Sequence, residues 1–537
     1  MSKRLIIIII VALISAASLY LVLNQLMGAS NLEILDVDFK LSLENYRLCR
    51  SIELLVKNKG DANLTISSVR IDGKDVHLWI LRGGYIPPRS TATILVFYPW
   101  KSGGKYSIEI VSDSGSAKVE EAAPSLDKIG FIVNNRRTID WHGILSFEVE
   151  FSDGECKPYC LEIVDENGVK ATSQMWGILT YDSGYVRYAV ISFIAHIPKE
   201  SSKTYYLVPV DKEVRGVSDK INVFENSDSI LVSNGELTVK FNLTDRFHGS
   251  IDYFGSQNKG INFAEIFKPP QATLSELYFF HGFLDSVFDS NGKMFAIIMK
   301  TDVTVESKGP LFAVVKRTWK LRDLGMAYDF YAIPENGTYI LYNFLVDIEK
   351  PMGLGALAGE GEYTIYNPAG MGSFAIAHLA VKNATFFLTL GGEIYAPLYP
   401  GMDIYADQPM AACIDHETGV FIQLLANDPQ NPVGYWHISK QKFPWHIWGG
   451  DKPNPSTSEI GGYEYAKDLI FIAGVHKYML CYSGQQSDPW RSGGLVIQPG
   501  TYSWLFEVYA AIKEDVLTAM KREYNMYYSN LEIEVKV

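Results

Sequence analysis

From Asn31 to Ala123 apolar residues recur at every second position in short runs, as in Leu32-Glu-Ile-Leu-Asp-Val-Asp-Phe and Ser51-Ile-Glu-Leu-Leu-Val. Thr65-Ile-Ser-Ser-Val-Arg-Ile and Thr91-Ala-Thr-Ile-Leu-Val-Phe repeat the pattern. A period of two places one row of side chains on a buried face, which predicts strands. Asn58-Lys-Gly-Asp, Asp72-Gly and Ser102-Gly-Gly supply the turns between them. The same alternation continues in Leu145-Ser-Phe-Glu-Val-Glu-Phe, Leu161-Glu-Ile-Val-Asp and Val186-Arg-Tyr-Ala-Val-Ile-Ser-Phe, and again in Tyr339-Ile-Leu-Tyr-Asn-Phe-Leu-Val-Asp. One late stretch changes period. From Glu514 to Tyr528, Val516, Met520, Tyr524 and Tyr527 recur at helical spacing, an apolar stripe for packing on a sheet. Leu531-Glu-Ile-Glu-Val-Lys-Val then alternates as a closing strand. The chain reads as mainly β.

The first residues follow a different rule. Lys3 and Arg4 precede Leu5 to Leu23, a run without a charge. As a helix that run spans about 28 Å, close to the thickness of a bilayer core. Residues 1–28 are therefore expected to be a single-pass anchor, with the amino end cytoplasmic and the bulk outside. A cleaved signal peptide ending near Ser15-Ala16-Ala17 is the alternative, and both readings export the remainder. Outside the cell, the sequons at Asn63, Asn242, Asn336 and Asn383 become candidate glycan acceptors. Cysteines also oxidise there. Cys156 and Cys160, four apart around Pro158, suit a local bridge, and Cys413 and Cys481 lie in strand-like runs that suit a cross-sheet bridge.

Composition narrows the function classes. Among 537 residues, 13% are aromatic and the formal charge is −13, with no basic stripe to offset it, which argues against a nucleic-acid partner. Five cysteines are too few for a disulfide scaffold. They also lack metal-ligand spacing, so neither a metal nor a cofactor is expected.

Three β units follow the anchor in this reading: 31–123, 127–212 and 219–537. The first has the size and turn spacing of an immunoglobulin-like sandwich. Its string Asn58-Lys-Gly-Asp-Ala-Asn-Leu-Thr-Ile-Ser-Ser-Val-Arg-Ile-Asp-Gly resembles the Ig-like modules of archaeal surface proteins, which serve as stalks. The second has a strand ending in Asp-Glu-Asn-Gly, then Gln174, then Arg187 before an apolar strand, then Thr204-Tyr-Tyr-Leu. That order resembles the N-terminal β-barrel of the exo-rhamnogalacturonan lyase family and a β module of some α-mannosidases. The third has Ser233-Asn-Gly-Glu-Leu, then Gly309-Pro-Leu before a strand with a basic end. It looks like the large β-supersandwich of the galactose-mutarotase-like superfamily. The lyases' catalytic α/α toroid has no counterpart in the sequence, so the resemblance implies carbohydrate recognition more than catalysis.

The densest chemistry lies between Tyr435 and Asp451, where Tyr435, Trp436, Trp445 and Trp448 accompany His437, His446 and Asp451. Sugar sites pair flat aromatic platforms with a few polar groups, and the Pro and Gly residues here suggest a loop. The alternative is ordinary core. A histidine here suits general-base work, and His437 and His446 are the candidates; nine residues apart with no cysteine partner, they do not form a metal site. Glu360 and Glu362, on one face if in a strand, Asp403 and Asp407, and Asp415 with Glu417 are acidic candidates, with exposed turn acids as the alternative. The expected function is that of a membrane-anchored, extracytoplasmic carbohydrate-binding or carbohydrate-active protein. The alternatives are a structural protein of the cell envelope, with envelope proteins as partners, and a polysaccharide lyase or glycoside hydrolase using the sandwich face.

Overall fold

The computed structural model describes residues 31–264, apart from 45, 78, 127 and 245–248, together with 301–350 apart from 322, 386–395, and 499–536 apart from 513 and 528–530. Between 280 and 497 it also describes the backbone of several short strands. Residues 1–30, the expected anchor, lie outside the described residues; among those described, no helix is long and apolar enough to cross a membrane. The fold is mainly β, with a helix at Val516–Tyr527 close to its expected place.

The chain divides into two compact units, one of residues 1–41 and 50–127 and the other of 42–49 and 128–537. In the first, Ser51–Lys57 pairs with Thr91–Phe97, which pairs with Trp79–Leu81. A second sheet orders Lys74–Val76, Ile66–Ile71, Lys105–Ser112 and Gly115–Ala122. The alternating residues Ile52, Leu54, Val56, Val69, Ile71, Ile94, Val96, Ile108 and Ile110 are all buried, as a period of two requires. Ile71 and Lys74 are register partners, so Asp72-Gly73 is a two-residue hairpin loop. Both residues have positive φ, 52° and 77°, the geometry in which an Asp-Gly pair follows the strand twist. Trp100 plugs the sandwich, its indole N–H donating to the carbonyls of Lys40 (3.2 Å) and Ser51 (3.1 Å).

In the second unit, three layers stack. Ile129–Asn135 lies between Ser201–Pro209 and Leu531–Lys536, so the last strand completes the sheet begun at residue 129 instead of joining the large sheet that precedes it. That sheet packs on Trp141–Glu150 and Val186–Ile197 through Phe131, Phe147, Phe193 and Tyr205, with ring centroids 4.9–6.2 Å apart. The opposite face of those strands, with Tyr188, Val190 and, from the adjoining strand Ser173–Thr180, Trp176, buries against Val314, Phe330, Leu341, Leu345 and Leu505 of a nine-stranded antiparallel sheet. The stretches expected as separate modules at 127–212 and 219–537 thus lie in one compact unit. The helix is capped by Asp515, whose carboxylate accepts the Thr518 N–H (2.8 Å) and hydroxyl (2.9 Å). Val516, Ala519 and Met520 pack it on Leu388, Met410, Ala412 and Phe421 of the large sheet.

Candidate functional site

Two polar clusters sit inside the second unit. Glu148, fully buried, accepts from the Tyr188 hydroxyl (2.8 Å), the Asn343 amide (3.0 Å), the Ser503 hydroxyl (2.9 Å) and Arg47 (3.2 Å). Burial pushes the Glu148 carboxyl up, against the opposing pull of the Arg47 guanidinium and the hydroxyl donors. Arg47 also reaches Glu150 and Ser503. Asp329 forms the second cluster, accepting from the Trp319 indole N–H (2.9 Å) and the Tyr342 hydroxyl (2.5 Å), with Arg317 3.7 Å away. Around it, one face of the nine-stranded sheet carries a continuous aromatic row. Phe344 stacks on Trp504 at 5.7 Å, and Tyr331 lies 5.1 Å from Tyr342. A ring-lined face with an ion pair has the composition of a sugar site. Its burial opposes that use: Trp319, Trp504, Tyr331 and Tyr342 are between 0% and 3% exposed, so these rings are core. Both clusters are closed to a polymeric substrate.

Gln174 has a different task. Its side-chain oxygen accepts the N–H groups of Leu311 (3.0 Å) and Phe312 (2.9 Å), and its nitrogen donates to the Phe312 carbonyl (3.0 Å) and Ser307 Oγ (3.3 Å). It clamps the start of the strand Phe312–Lys320 to the strand Ser173–Thr180. Beside it, a bulge turns at Gly177 (φ 62°), whose N–H and that of Ile178 donate to the Glu306 carboxylate at 3.0 Å each.

The sequence-predicted residues fall mostly elsewhere. Tyr435, Trp436, His437, Trp448, Asp451, Glu360, Glu362, Cys481 and Asn383 lie outside the described residues. The middle of the expected loop is a strand, Phe443–Ile447, paired with Met402–Ala406 on one side and Leu469–Phe471 on the other. His446 is the register partner of Asp403 and of Phe471, while His281 and His378 are register partners in the same five-stranded sheet. The neighbouring row, Phe280, Leu379, Ile470, Ile447 and Met402, ties the five strands into one register. His281, His378, Phe471, His446 and Asp403 therefore fall at one level of the ladder. Sequence reasoning named His446 and Asp403 separately; that they are register partners depends on strand pairing, which no local pattern encodes.

Cys156 and Cys160 are buried free thiols, and a third, Cys49, is buried as well. Burial pushes the Cys156 thiol up to about 12. Cys413 lies in the strand Met410–Asp415. Asn63 and Asn336 are exposed, whereas the Asn242 amide donates to Asp252 (2.8 Å). Among the described residues no group of three His, Cys, Asp or Glu side chains is arranged to hold a metal ion. In the first unit, a polar cavity of about 500 Å³ is lined by Asp72, Lys105, Tyr106, Ser107, Glu120 and Glu121. With a single ring it offers no stacking platform. No protein-family model matches the chain, and no curated protein matches it either.

Proposed function

We propose that the protein is an extracytoplasmic carbohydrate-binding or carbohydrate-active protein, held at the membrane by residues 1–28 and raised from it by the sandwich of the first unit. One observation carries the reading. His446, in the tryptophan-rich segment from Tyr435 to Asp451, is the register partner of Asp403 on the neighbouring strand. A carboxylate beside an imidazole orients it and favours its role as a proton acceptor, which is the group needed to remove a proton from a uronic-acid ring.

The test has two arms. Screening the purified protein on a glycan array reads binding, and absorbance of the unsaturated product from uronic-acid polysaccharides reads lyase chemistry. His446→Ala and Asp403→Asn should abolish product formation while leaving glycan binding within a few-fold. Binding to no glycan together with no product on any polysaccharide would reject the proposal in favour of a structural envelope protein. A specific observation favours that second reading: the polar clusters around Glu148 and Asp329 are closed inside the core.

A further inference from the structure

His142 and His196 stand opposite each other on the antiparallel strands Trp141–Glu150 and Val186–Ile197. Both are exposed, and their ring centroids are 5.8 Å apart with the planes inclined by 59°. The backbone explains the closeness. The His196 N–H donates to the Tyr205 hydroxyl (3.3 Å), which donates in turn to the His196 carbonyl (3.5 Å), so neither backbone group is turned to His142. Two residues earlier, the Ile194 N–H likewise bonds away from Trp141–Glu150, to the Thr172 carbonyl (2.9 Å). His142 and His196 are thus a non-hydrogen-bonded pair, the arrangement that brings facing side chains closest in an antiparallel sheet. They sit one pair from the end of a ladder of ten register pairs, from Trp141–Ile197 to Glu150–Tyr188, which fixes the two strands against each other.

We propose that His142 and His196 form a two-histidine chelate for a divalent transition-metal ion, with the remaining coordination positions open to water or an external ligand. The geometry fits. A metal about 2.0–2.1 Å from one nitrogen of each ring lies about 3.2 Å from each ring centre, so centroids at the observed spacing subtend about 130° at the metal. Closing that angle to tetrahedral moves the rings together by about 0.6 Å, within reach of small side-chain rotations. Imidazole pairs suit Zn²⁺, Ni²⁺ and Cu²⁺, and the ordinary affinity order puts Cu²⁺ first. Both side chains are exposed, so binding requires no opening of the fold.

The experiment uses the purified protein with Cu²⁺ and Zn²⁺, reading affinity by calorimetry and the number of imidazole nitrogens on Cu²⁺ by electron paramagnetic resonance. The expected result is a site with two coupled nitrogens. His142→Gln or His196→Gln should each weaken it by at least about tenfold, because the second ligand no longer comes preplaced from the neighbouring strand. Circular dichroism and the unfolding midpoint without metal should stay unchanged, which separates loss of the site from loss of fold. Absence of binding, or a two-nitrogen signal that survives in both variants, would overturn the assignment.

Discussion

Gln174 and Gly309 offer the most direct test of how the second unit is held together. Gln174 makes four hydrogen bonds to the segment from Ser307 to Phe312, and it is only 6% exposed. Gln174→Ala removes the acceptor of two buried N–H groups, those of Leu311 and Phe312. The Phe312 carbonyl keeps a partner in the Gly309 N–H (2.9 Å), so it adds little to the cost. Each orphaned N–H costs about 1–3 kcal/mol, which gives roughly 2–6 kcal/mol for the pair. Gly309→Ala attacks the same contact from the other side. A Cβ there would lie 2.2 Å from Gln174 Cδ and 2.3 Å from its oxygen, so the amide has to leave its place. The strain alone is of the overpacking kind, about 1–3 kcal/mol, with loss of the clamp added to it. The two substitutions therefore share one mechanism. In urea unfolding, the double variant should cost little more than Gln174→Ala alone, so the coupling should nearly equal the whole cost of Gly309→Ala. Strictly additive losses, or a Gln174→Ala variant within 0.5 kcal/mol of the parent, on the order of an ordinary surface change, would refute the clamp.

Arg47→Met or Glu148→Leu alone should cost about 3–5 kcal/mol in the same assay, since each strands a buried partner, while the double variant should recover most of the loss. Burial, with Glu523 nearby, raises the Glu507 carboxyl well above its ordinary range. Its folded state thus holds the proton more tightly than its unfolded state, and the resulting stability is full at acid pH and fades as pH rises through the raised value. Glu507→Gln removes that dependence, so unfolding midpoints of parent and variant should diverge with rising pH in the variant's favour; parallel curves would contradict it. Native Cys156 should resist alkylation at pH 8 until the protein unfolds, because its thiol titrates near 12; mass spectrometry after a timed iodoacetamide pulse reads this.

What the sequence made legible was local. The Asp72-Gly73 turn, the alternating strands of the first unit and the Val516–Tyr527 helix follow from near neighbours in the chain, and each was readable from period and turn residues. Gln174 stood out in sequence only as one member of an ordered pattern, and its partners at 307–312 were invisible. Arg47 and Glu148 were missed for a physical reason: a charge reads as exposed unless its counter-charge, here 101 residues away, is known to meet it. Phe443–Ile447 looked like a loop because Pro444 cannot donate to a ladder. Within this strand His446 and Ile447 are the residues that pair with Leu469–Phe471, so the proline sits beyond that pairing, where a strand tolerates it.

The sheet completed by Leu531–Lys536 sets a timetable for synthesis. Its partner strand Ile129–Asn135 leaves the ribosome about 400 residues earlier, as the Asn134–Glu534 contact measures. At typical elongation rates of about 5–20 residues per second, that strand waits roughly 20–80 seconds with one edge unpaired. Its apolar residues Ile129, Phe131 and Val133 can bury against Ser201–Pro209 meanwhile, yet its free N–H and C=O groups invite pairing with another nascent chain. Completion of this sheet therefore waits on the emergence of Leu531–Lys536, and a chaperone that shields strand edges should matter more to its yield than one that shields apolar faces.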